Sequence, residues 1–341
     1  MPAKNDHANN DGAANDTAMP YRTLGRTGLQ VSALAFGAGP ISTLMVGDDL
    51  ARQDAVVRYA VARGINWFDT AATYGGGQSE QSLGRMLQEM RGAGQVHVAT
   101  KVRLTTEDLA DVRGAVRRSL EGSLVRLRLS RVTLLQLHNS LTPCRNDEPT
   151  SITPEDVLCS GGVADVMEEL RREGLIAHLG LTGIGRPESM SAVVRSGRFD
   201  TMQVPYHLLN PSAGMVVPRE FGETDYGNII ASCAEMRMGV FAIRVLAGGA
   251  LADNPPSPHT LKTPFFPLAL YERDRLRAAG LRKSLSVARR LPQEAVRFSL
   301  AHPHVTSAIV GFSEIAQIDE ALAALTLEAS PLTWNDVSSS K

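Results

Sequence analysis

Several features that would place this chain in other protein classes are scarce. It has only three cysteines, Cys144, Cys159 and Cys233, an odd and widely spaced set that makes a poor disulfide framework. Reduced thiols are typical of the cytoplasm, so we expect a cytoplasmic protein. Residues 1–20 are rich in Asn, Asp and Ala and lack the charged start and apolar run of a secretion signal. We expect them to form a disordered tail.

Charge of one sign and long hydrophobic runs are also missing. The chain has 35 Lys and Arg against 36 Asp and Glu, a formal net charge of −1, and no basic stripe. Nucleic acid is therefore not an expected partner. The longest uncharged stretch, residues 31–47, is interrupted by Gly, Ser, Thr and Pro. It is too short to span a bilayer, so we expect no membrane partner.

Two sequence motifs of common cofactor and metal sites are not found. No GxGxxG follows the first predicted strand, so the Rossmann fingerprint is absent. His302 and His304 lie close together, but no further ligand cluster accompanies them. We interpret them as part of a loop and expect no metal.

What the chain does contain is a repeated alternation of short apolar strands and longer helices. It follows a predicted β-hairpin that begins at Tyr21 and has turn residues at Gly25 and Gly28. Such an alternation predicts parallel strands with right-handed crossovers, and eight strands can close a barrel. We therefore predict an α/β fold, a (β/α)8 TIM barrel over residues 21–330, with a C-terminal tail at 331–341. The eight predicted strands are 33–37, 66–69, 96–101, 132–138, 177–182, 201–205, 239–245 and 307–310.

The connections between the strands contain predicted helices and three long loops. In a barrel, long loops after strands lie at the C-terminal face, where active sites occur. The loop at 247–272 has several prolines and aromatic side chains, so it is either a lid over a ligand or an irregular surface insertion. The other two loops are 140–161 and 207–224. The predicted helices are 52–63, 79–90, 107–128, 162–173, 187–196, 225–236, 292–300 and 314–325.

Four titratable residues lie at the ends of neighbouring predicted strands. Asp69 ends the second strand, with Tyr74 just after it, Lys101 ends the third, and His138 ends the fourth. Taken singly, each has an ordinary structural explanation as a turn cap, a packing residue, a solvated strand end or a core histidine. Because the ends of parallel strands meet at one mouth of a barrel, the four together predict a catalytic group.

These side chains suit the reduction of a carbonyl group by hydride transfer to its carbon. Reduction of a carbonyl needs a proton on its oxygen, and Tyr74 can donate it. The ammonium of Lys101 favours the phenolate form of the tyrosine, and Asp69 can hold Lys101 by a charge-assisted hydrogen bond. His138 can donate to the carbonyl oxygen and orient the substrate.

At these positions the chain resembles the aldo-keto reductase superfamily, in a bacterial branch near the sugar or aldose dehydrogenases. The resemblance runs in the family's order from about residue 21 to 325 and includes LGRTGLQVSALAFG, GINWFDTAATYGGGQSEQSLG, VATK, LLQLHN, MQVPYHLLN and AIVGFSEIAQIDEAL. It implies a (β/α)8 barrel and a catalytic tetrad of Asp69, Tyr74, Lys101 and His138. It also implies a nicotinamide cofactor bound across the C-terminal mouth.

The resemblance implies cofactor contacts as well, with some departures. Gln203 matches a glutamine that bonds the nicotinamide carboxamide. Thr182 keeps the hydroxyl of the family's Ser-Asn pair, whereas Gly183 lacks the amide. Ile243 and Arg244 stand where a stacking ring and a serine are expected, and Arg244 either reaches the pyrophosphate or is an ion-paired barrel residue. The full implied set is Gly37, Thr182, Gln203, Ile243, Arg244, Leu246, Gly311, Ser313, Gln317 and Glu320.

The residues at the adenosine end do not decide whether the cofactor carries a 2′-phosphate. Gly311 and Ser313 match the cradle for an adenosine 2′-phosphate, and a helix that begins near Glu314 favours an anion there. Gln317 and Glu320 match residues that contact adenosine. The family's common Lys and Arg are missing here. NADP(H) is the expected cofactor, and NAD(H) is the alternative.

Three functions are compatible with this sequence. We expect an NAD(P)H-dependent reductase of a small-molecule aldehyde or ketone. The segments TG and RVLAGGAL are similar to sugar dehydrogenases of the galactose and fucose kind, so oxidation of an aldose to its lactone is the alternative. A cofactor-binding regulatory subunit is the third.

Cys144 and Cys159 either sense oxidants near the mouth or are unreactive loop thiols. The sequence does not indicate the oligomeric state.

Overall fold

The computed structural model describes residues 18–90, 96–285 and 289–327. Two short strands, β1 (Tyr21–Thr23) and β2 (Gln30–Ser32), pair antiparallel and form the predicted hairpin. Of the predicted tails, residues 1–17 and 331–341 lie outside the described residues. Met19 is buried and packs against the hydrophobic core. The boundaries of the domain stay a prediction.

Eight parallel strands close into a barrel, which confirms the predicted (β/α)8 fold. They hydrogen-bond to one another in chain order, and the last pairs with the first, with Ala308 opposite Leu34 and Val310 opposite Phe36. The strands are β3 (Leu34–Gly37), β4 (Trp67–Asp69), β5 (His97–Val102), β6 (Val132–Leu137), β7 (Ile176–Thr182), β8 (Thr201–Pro205), β9 (Gly239–Ile243) and β10 (Ser307–Val310).

Helices occupy the connections, with several differences from the predictions. Residues 154–158, within the predicted loop 140–161, are helical, and the helix predicted at 225–236 begins only at Ile229. The predicted helix 107–128 is interrupted at Asp111, whose side chain accepts a hydrogen bond from the Gly114 amide and so caps a new helix. The part of the long loop 247–272 from Leu268 onward is helical. The helices are α1 (Leu50–Ala62), α2 (Gln78–Glu89), α3 (Val112–Leu127), α4 (Pro154–Leu158), α5 (Val163–Arg172), α6 (Pro187–Arg195), α7 (Ile229–Glu235), α8 (Leu268–Ser284), α9 (Leu291–Ala301) and α10 (Ile315–Ala323).

The hairpin closes the N-terminal end of the barrel. Leu24 and Val31 from the hairpin are fully buried and join a cluster with Trp67 and Phe241, whose ring centroids lie 4.7 Å apart. Burying such side chains contributes about 1.5–3 kcal/mol each, so this end is a packed core. Polar chemistry is therefore left to the opposite, C-terminal end. No helix in the part of the chain that the structure describes is long and apolar enough to cross a membrane.

Candidate active site

Lys101 lies at the centre of the four predicted catalytic residues, which the structure brings together at the C-terminal mouth. Its Nζ donates to Asp69 Oδ1 at 2.5 Å, to the carbonyl oxygen of Thr70 at 2.8 Å and to the hydroxyl of Tyr74 at 3.2 Å. Lys101 and Asp69 are 1% and 4% exposed. Because Lys101 is so fully buried, its ammonium is directed by these three acceptors rather than by water.

The Asp69 carboxylate is held on its second oxygen by two amide side chains. Gln136 Nε2 donates to Asp69 Oδ2 at 3.0 Å, and Gln203 Nε2 donates to the same oxygen. Burial by itself lowers the pKa of Lys101, but the charge of Asp69 and its hydrogen bond outweigh burial, so the pKa of Lys101 lies above its ordinary value. Lys101 is therefore a permanent ammonium at neutral pH.

A turn of three glycines directs Tyr74 back toward Lys101. Gly75, Gly76 and Gly77 have φ angles of 58°, 62° and 95°, a region that side chains with a Cβ rarely adopt. A Cβ at Gly77 would also come within 2.7 Å of Arg126. The sharp turn leaves Tyr74 partly exposed at the mouth, with Lys101 Nζ 4.7 Å from its ring centroid. Tyr74 thus remains partly accessible while its hydroxyl is bonded to an ammonium.

His138 completes the group as an uncharged side chain. Its ring lies edge-on to Tyr74, with centroids 5.8 Å apart. Burial, followed by the charges of Arg103 and Lys101, holds the pKa of His138 well below its ordinary value. Its Nδ1 is buried and has no hydrogen-bond partner among the described residues. A neutral imidazole keeps one N–H, which can be donated to a carbonyl oxygen.

Arg103 is a residue of the mouth that the sequence interpretation missed. Its Nη2 lies 3.4 Å from the carbonyl oxygen of His138, and the ring of Phe265 lies 4.7 Å from its Cζ. Side chains on a strand alternate between its faces, so Arg103 follows Lys101 on the same side of the chain. That spacing of two was the signal that could have identified it.

The nicotinamide end of the implied cofactor site contains a polar atom that lacks a partner. The hydroxyl of Thr182 is buried at the end of β7 without a hydrogen-bond partner among the described residues, so it fits a group that brings a donor or an acceptor. Gln203 lies on the neighbouring strand β8, but its amide donates to Asp69. A Cβ at Gly183 would lie 2.8 Å from the Gln203 carbonyl oxygen, which explains why an amide side chain is missing there.

Ile243, Arg244 and Leu246 lie at and just beyond the end of the barrel's seventh parallel strand. Ile243 ends β9, and Arg244 adopts a left-handed φ of 56°, which is strained for a residue other than glycine. The Arg244 Cζ lies 3.8 Å from the ring centroid of Phe266. Burial lowers the pKa of Arg244, and the charge of Asp274 acts in the opposite direction. Whether Arg244 reaches the pyrophosphate or is an ion-paired barrel residue stays a prediction.

Phe265 and Phe266 place part of the long loop over the mouth. Their rings stack on Arg103 and Arg244, which follow β5 and β9. Both rings lie in the irregular part of the loop, 253–267, before α8. This arrangement favours a lid over an irregular insertion. Cys144 and Cys159 are free and exposed in the loop after β6.

Gly37, Gly311 and Ser313 belong to the implied adenosine side of the mouth. Gly37 ends β3, where a Cβ would lie 3.1 Å from Ile309 Cγ2, and a Cβ at Gly311 would lie 3.2 Å from that of Ser42. The Ser313 amide and hydroxyl both donate to Gln317 Oε1, at 2.7 and 3.2 Å. Ser313 is therefore satisfied internally, and a ligand phosphate would have to displace the Gln317 side chain.

Two arginines that the sequence interpretation missed lie at this side. Arg52 from α1 donates to the Ser313 carbonyl oxygen at 2.8 Å and to the Glu314 carboxylate at 2.9 Å. Arg290 lies 2.7 Å from Glu320. Positive charge is thus present near the implied phosphate site, although it comes from other parts of the chain than the motif.

Comparison with known proteins assigns the family. The profile of the Aldo/keto reductase family matches residues 33–340. The chain belongs to the Aldo/keto reductase family. Its fold matches that of the aldo-keto reductase AKR11C1 from Bacillus halodurans in its holo form, with a TM-score of 0.68 and 24% identity over 94% of this chain and 96% of that one. This aldo-keto reductase is therefore an oxidoreductase by family, on the barrel that the family's solved structures share.

Two relatives of this aldo-keto reductase are sugar dehydrogenases. L-galactose dehydrogenase of Arabidopsis thaliana is 29% identical over 319 residues, covering 91% of this chain and 89% of that protein. D-threo-aldose 1-dehydrogenase of a Pseudomonas species is 28% identical over 346 residues, covering 92% and 95%. Family membership implies a nicotinamide cofactor, and the unpartnered Thr182 hydroxyl at the mouth fits one.

Proposed function

We propose that this chain interconverts a small-molecule carbonyl and its alcohol by hydride transfer, with Tyr74 as the general acid and base. The observation that carries the proposal is the position of Lys101, whose Nζ is 2.5 Å from Asp69 Oδ1 and 3.2 Å from the Tyr74 hydroxyl. A fixed ammonium beside a partly exposed phenol stabilises the phenolate left after proton transfer.

The proton follows a short path in this proposal. In reduction, the Tyr74 hydroxyl gives its proton to the carbonyl oxygen, and the resulting phenolate faces Lys101. The uncharged His138 donates its N–H to the same carbonyl oxygen and orients the substrate. In oxidation, the Tyr74 phenolate takes the proton of the alcohol. A positioned acid of this kind contributes about 10²–10⁴-fold to the rate.

The cofactor is proposed to be NADP(H), with NAD(H) as the alternative. Bound nicotinamide supplies or accepts the hydride, and Thr182, Gln203 and Ile243 would hold its ring. Arg52 beside Ser313 supports a 2′-phosphate, because a guanidinium suits a phosphate. The Glu314 carboxylate on Arg52 favours a ribose hydroxyl instead. Affinities for NADPH and NADH, measured by fluorescence titration, decide between the two.

A second candidate function is oxidation of an aldose at carbon one. It is favoured by the likeness to L-galactose dehydrogenase and D-threo-aldose 1-dehydrogenase over most of the chain. The same proton path serves this direction in reverse. We also propose that the protein is cytoplasmic, which its three free cysteines support.

The test is a steady-state panel with the wild-type protein and Tyr74→Phe. Aldehydes and ketones are offered with NADPH or NADH, and aldoses with NADP⁺ or NAD⁺. We expect turnover with wild type in at least one arm and its loss in Tyr74→Phe. Tight cofactor binding without turnover in any arm would contradict the proposal and favour a regulatory subunit.

A further inference from the structure

Arg103 carries a buried donor that the proposed reaction does not use. Its Nε has no hydrogen-bond partner among residues 18–90, 96–285 and 289–327, and no described carboxylate lies within 4 Å of it. Its hydrogen bond to the described part of the chain runs from Nη2 to the His138 carbonyl oxygen, at 3.4 Å. Burial lowers the pKa of Arg103. Leaving a buried donor such as Nε without an acceptor is costly, whereas Arg103 as a whole is partly exposed, so a ligand can reach it and supply the acceptor.

Other partly buried arginines of this protein are neutralised by a neighbouring carboxylate. Carboxylates pair with several half-buried ones: Arg126, Arg198, Arg277 and Arg289. Arg103 and Arg244, both at the mouth, stack on phenylalanines instead. Arg244 follows β9 on the side of the implied cofactor residues. Arg103 is therefore the arginine on the side of His138 and Lys101, where the reacting carbonyl must lie.

The surroundings of Arg103 favour a flat anion at its edge. The Arg103 Cζ lies over the Phe265 ring, 4.7 Å from its centroid, and this cation–π contact restricts the position of the guanidinium. Nε lies on the edge of the planar guanidinium and is free of protein acceptors among the described residues. A carboxylate matches such an edge with two parallel hydrogen bonds. His138 is a neighbour of Arg103, because its carbonyl oxygen lies 3.4 Å from Nη2 and the charge of Arg103 lowers the pKa of its ring, so one substrate can contact both side chains.

We propose that Arg103 binds a carboxylate of the substrate, so that the preferred substrate is an aldehyde, ketone or sugar that also carries an acid group. This inference rests on the proposed function, because it concerns the substrate of the same site. It makes Arg103 a specificity-determining residue and leaves the proton path unchanged.

The test compares substrates that differ only in the acid group. Succinic semialdehyde is compared with butanal, and glucuronate with glucose, in wild type, Arg103→Met and Arg113→Met. The control, Arg113, is an exposed arginine paired with Glu169 on the outside of the barrel. A hydrogen-bonded charge pair predicts a wild-type preference in kcat/KM of about 10- to 100-fold for the acid in at least one pair. The preference should approach one in Arg103→Met and persist in Arg113→Met.

Arg103→Lys and a binding assay keep the test decisive if turnover is low or Arg103→Met is unstable. Arg103→Lys should keep the charge, lose the paired hydrogen bonds and give an intermediate preference. Butyrate, which cannot be reduced, should bind the cofactor-loaded wild type at least about tenfold more tightly than neutral butyramide does. Activity on butanal with no preference for acids would overturn the role of Arg103 and leave the proposed function standing. No turnover of any compound, with butyrate still preferred, would overturn the proposed function alone.

Discussion

Replacing Lys101 by Met tests the buried ion pair of the site through its stability. Methionine keeps much of the length of the lysine stem and removes its charge. The change leaves Asp69 4% exposed and held only by the amides of Gln136 and Gln203. Removing one member of a buried pair leaves an uncompensated charge and costs about 3–5 kcal/mol. We therefore expect Lys101→Met to lose about that much of its free energy of unfolding.

A double variant distinguishes the effect of the uncompensated Asp69 charge on stability from the effect of lost side-chain packing. Lys101→Met with Asp69→Asn removes both charges, and replacement of a whole buried pair is often nearly neutral. We expect it to recover most of the loss, to within about 1–2 kcal/mol of wild type. Arg113→Met, which breaks an exposed pair with Glu169, should cost less than about 1 kcal/mol.

Urea unfolding followed by circular dichroism measures all four proteins. The reasoning would be refuted if Lys101→Met lost less than about 1 kcal/mol. A double variant as unstable as the single would also refute it, because the loss would then come from packing rather than charge.

Three further predictions concern pH, the cofactor and one glycine. His138 is buried with its pKa well below the ordinary value, so below about pH 6.5 the unfolded chain takes up a proton that the folded protein does not, and the free energy of unfolding falls as the pH falls. In urea unfolding, His138→Gln should remove up to about 1.4 kcal/mol per pH unit of this dependence. A pH dependence equal to that of the exposed control variant His304→Gln would contradict the prediction. If Arg52 binds a 2′-phosphate, Arg52→Ala should weaken the binding of NADPH relative to NADH about tenfold in fluorescence titrations. Arg58→Ala, on the same helix, is the control. An unchanged ratio of the two affinities would support NAD(H). Gly183→Asn should lower the free energy of unfolding by about 1–3 kcal/mol, because its Cβ would lie 2.8 Å from the Gln203 carbonyl oxygen. It should not tighten cofactor binding, and a gain in cofactor affinity would contradict the prediction.

The barrel and the four residues of the predicted catalytic group, Lys101 among them, could be predicted because both depend on local patterns. Each strand is a short apolar run, and its last residues fix which side chains reach the mouth. Helix α8 was missed since its many charged residues, as in YERDRLR, leave no apolar stripe of helical period. Its packing against the segment Ala247–Ala252 is a tertiary effect.

The residues around the cofactor and substrate were harder to predict because they depend on long-range contacts. Arg52 and Ser313 meet across 261 positions of the chain, so no motif contains both. The engagement of Gln203 with Asp69 likewise joins β8 to β4 across the barrel. Arg103 was the exception, since its spacing of two from Lys101 was visible in the sequence.

The most direct measurement of the central claim is single-turnover hydride transfer by wild type and Tyr74→Phe with the best substrate of the panel. Phenylalanine keeps the ring against His138 and removes only the hydroxyl that lies 3.2 Å from Lys101 Nζ. We predict a rate at least about 10²-fold lower in Tyr74→Phe, with cofactor affinity within about threefold of wild type. A rate within a few fold of wild type would contradict the assignment of Tyr74 as the acid and base.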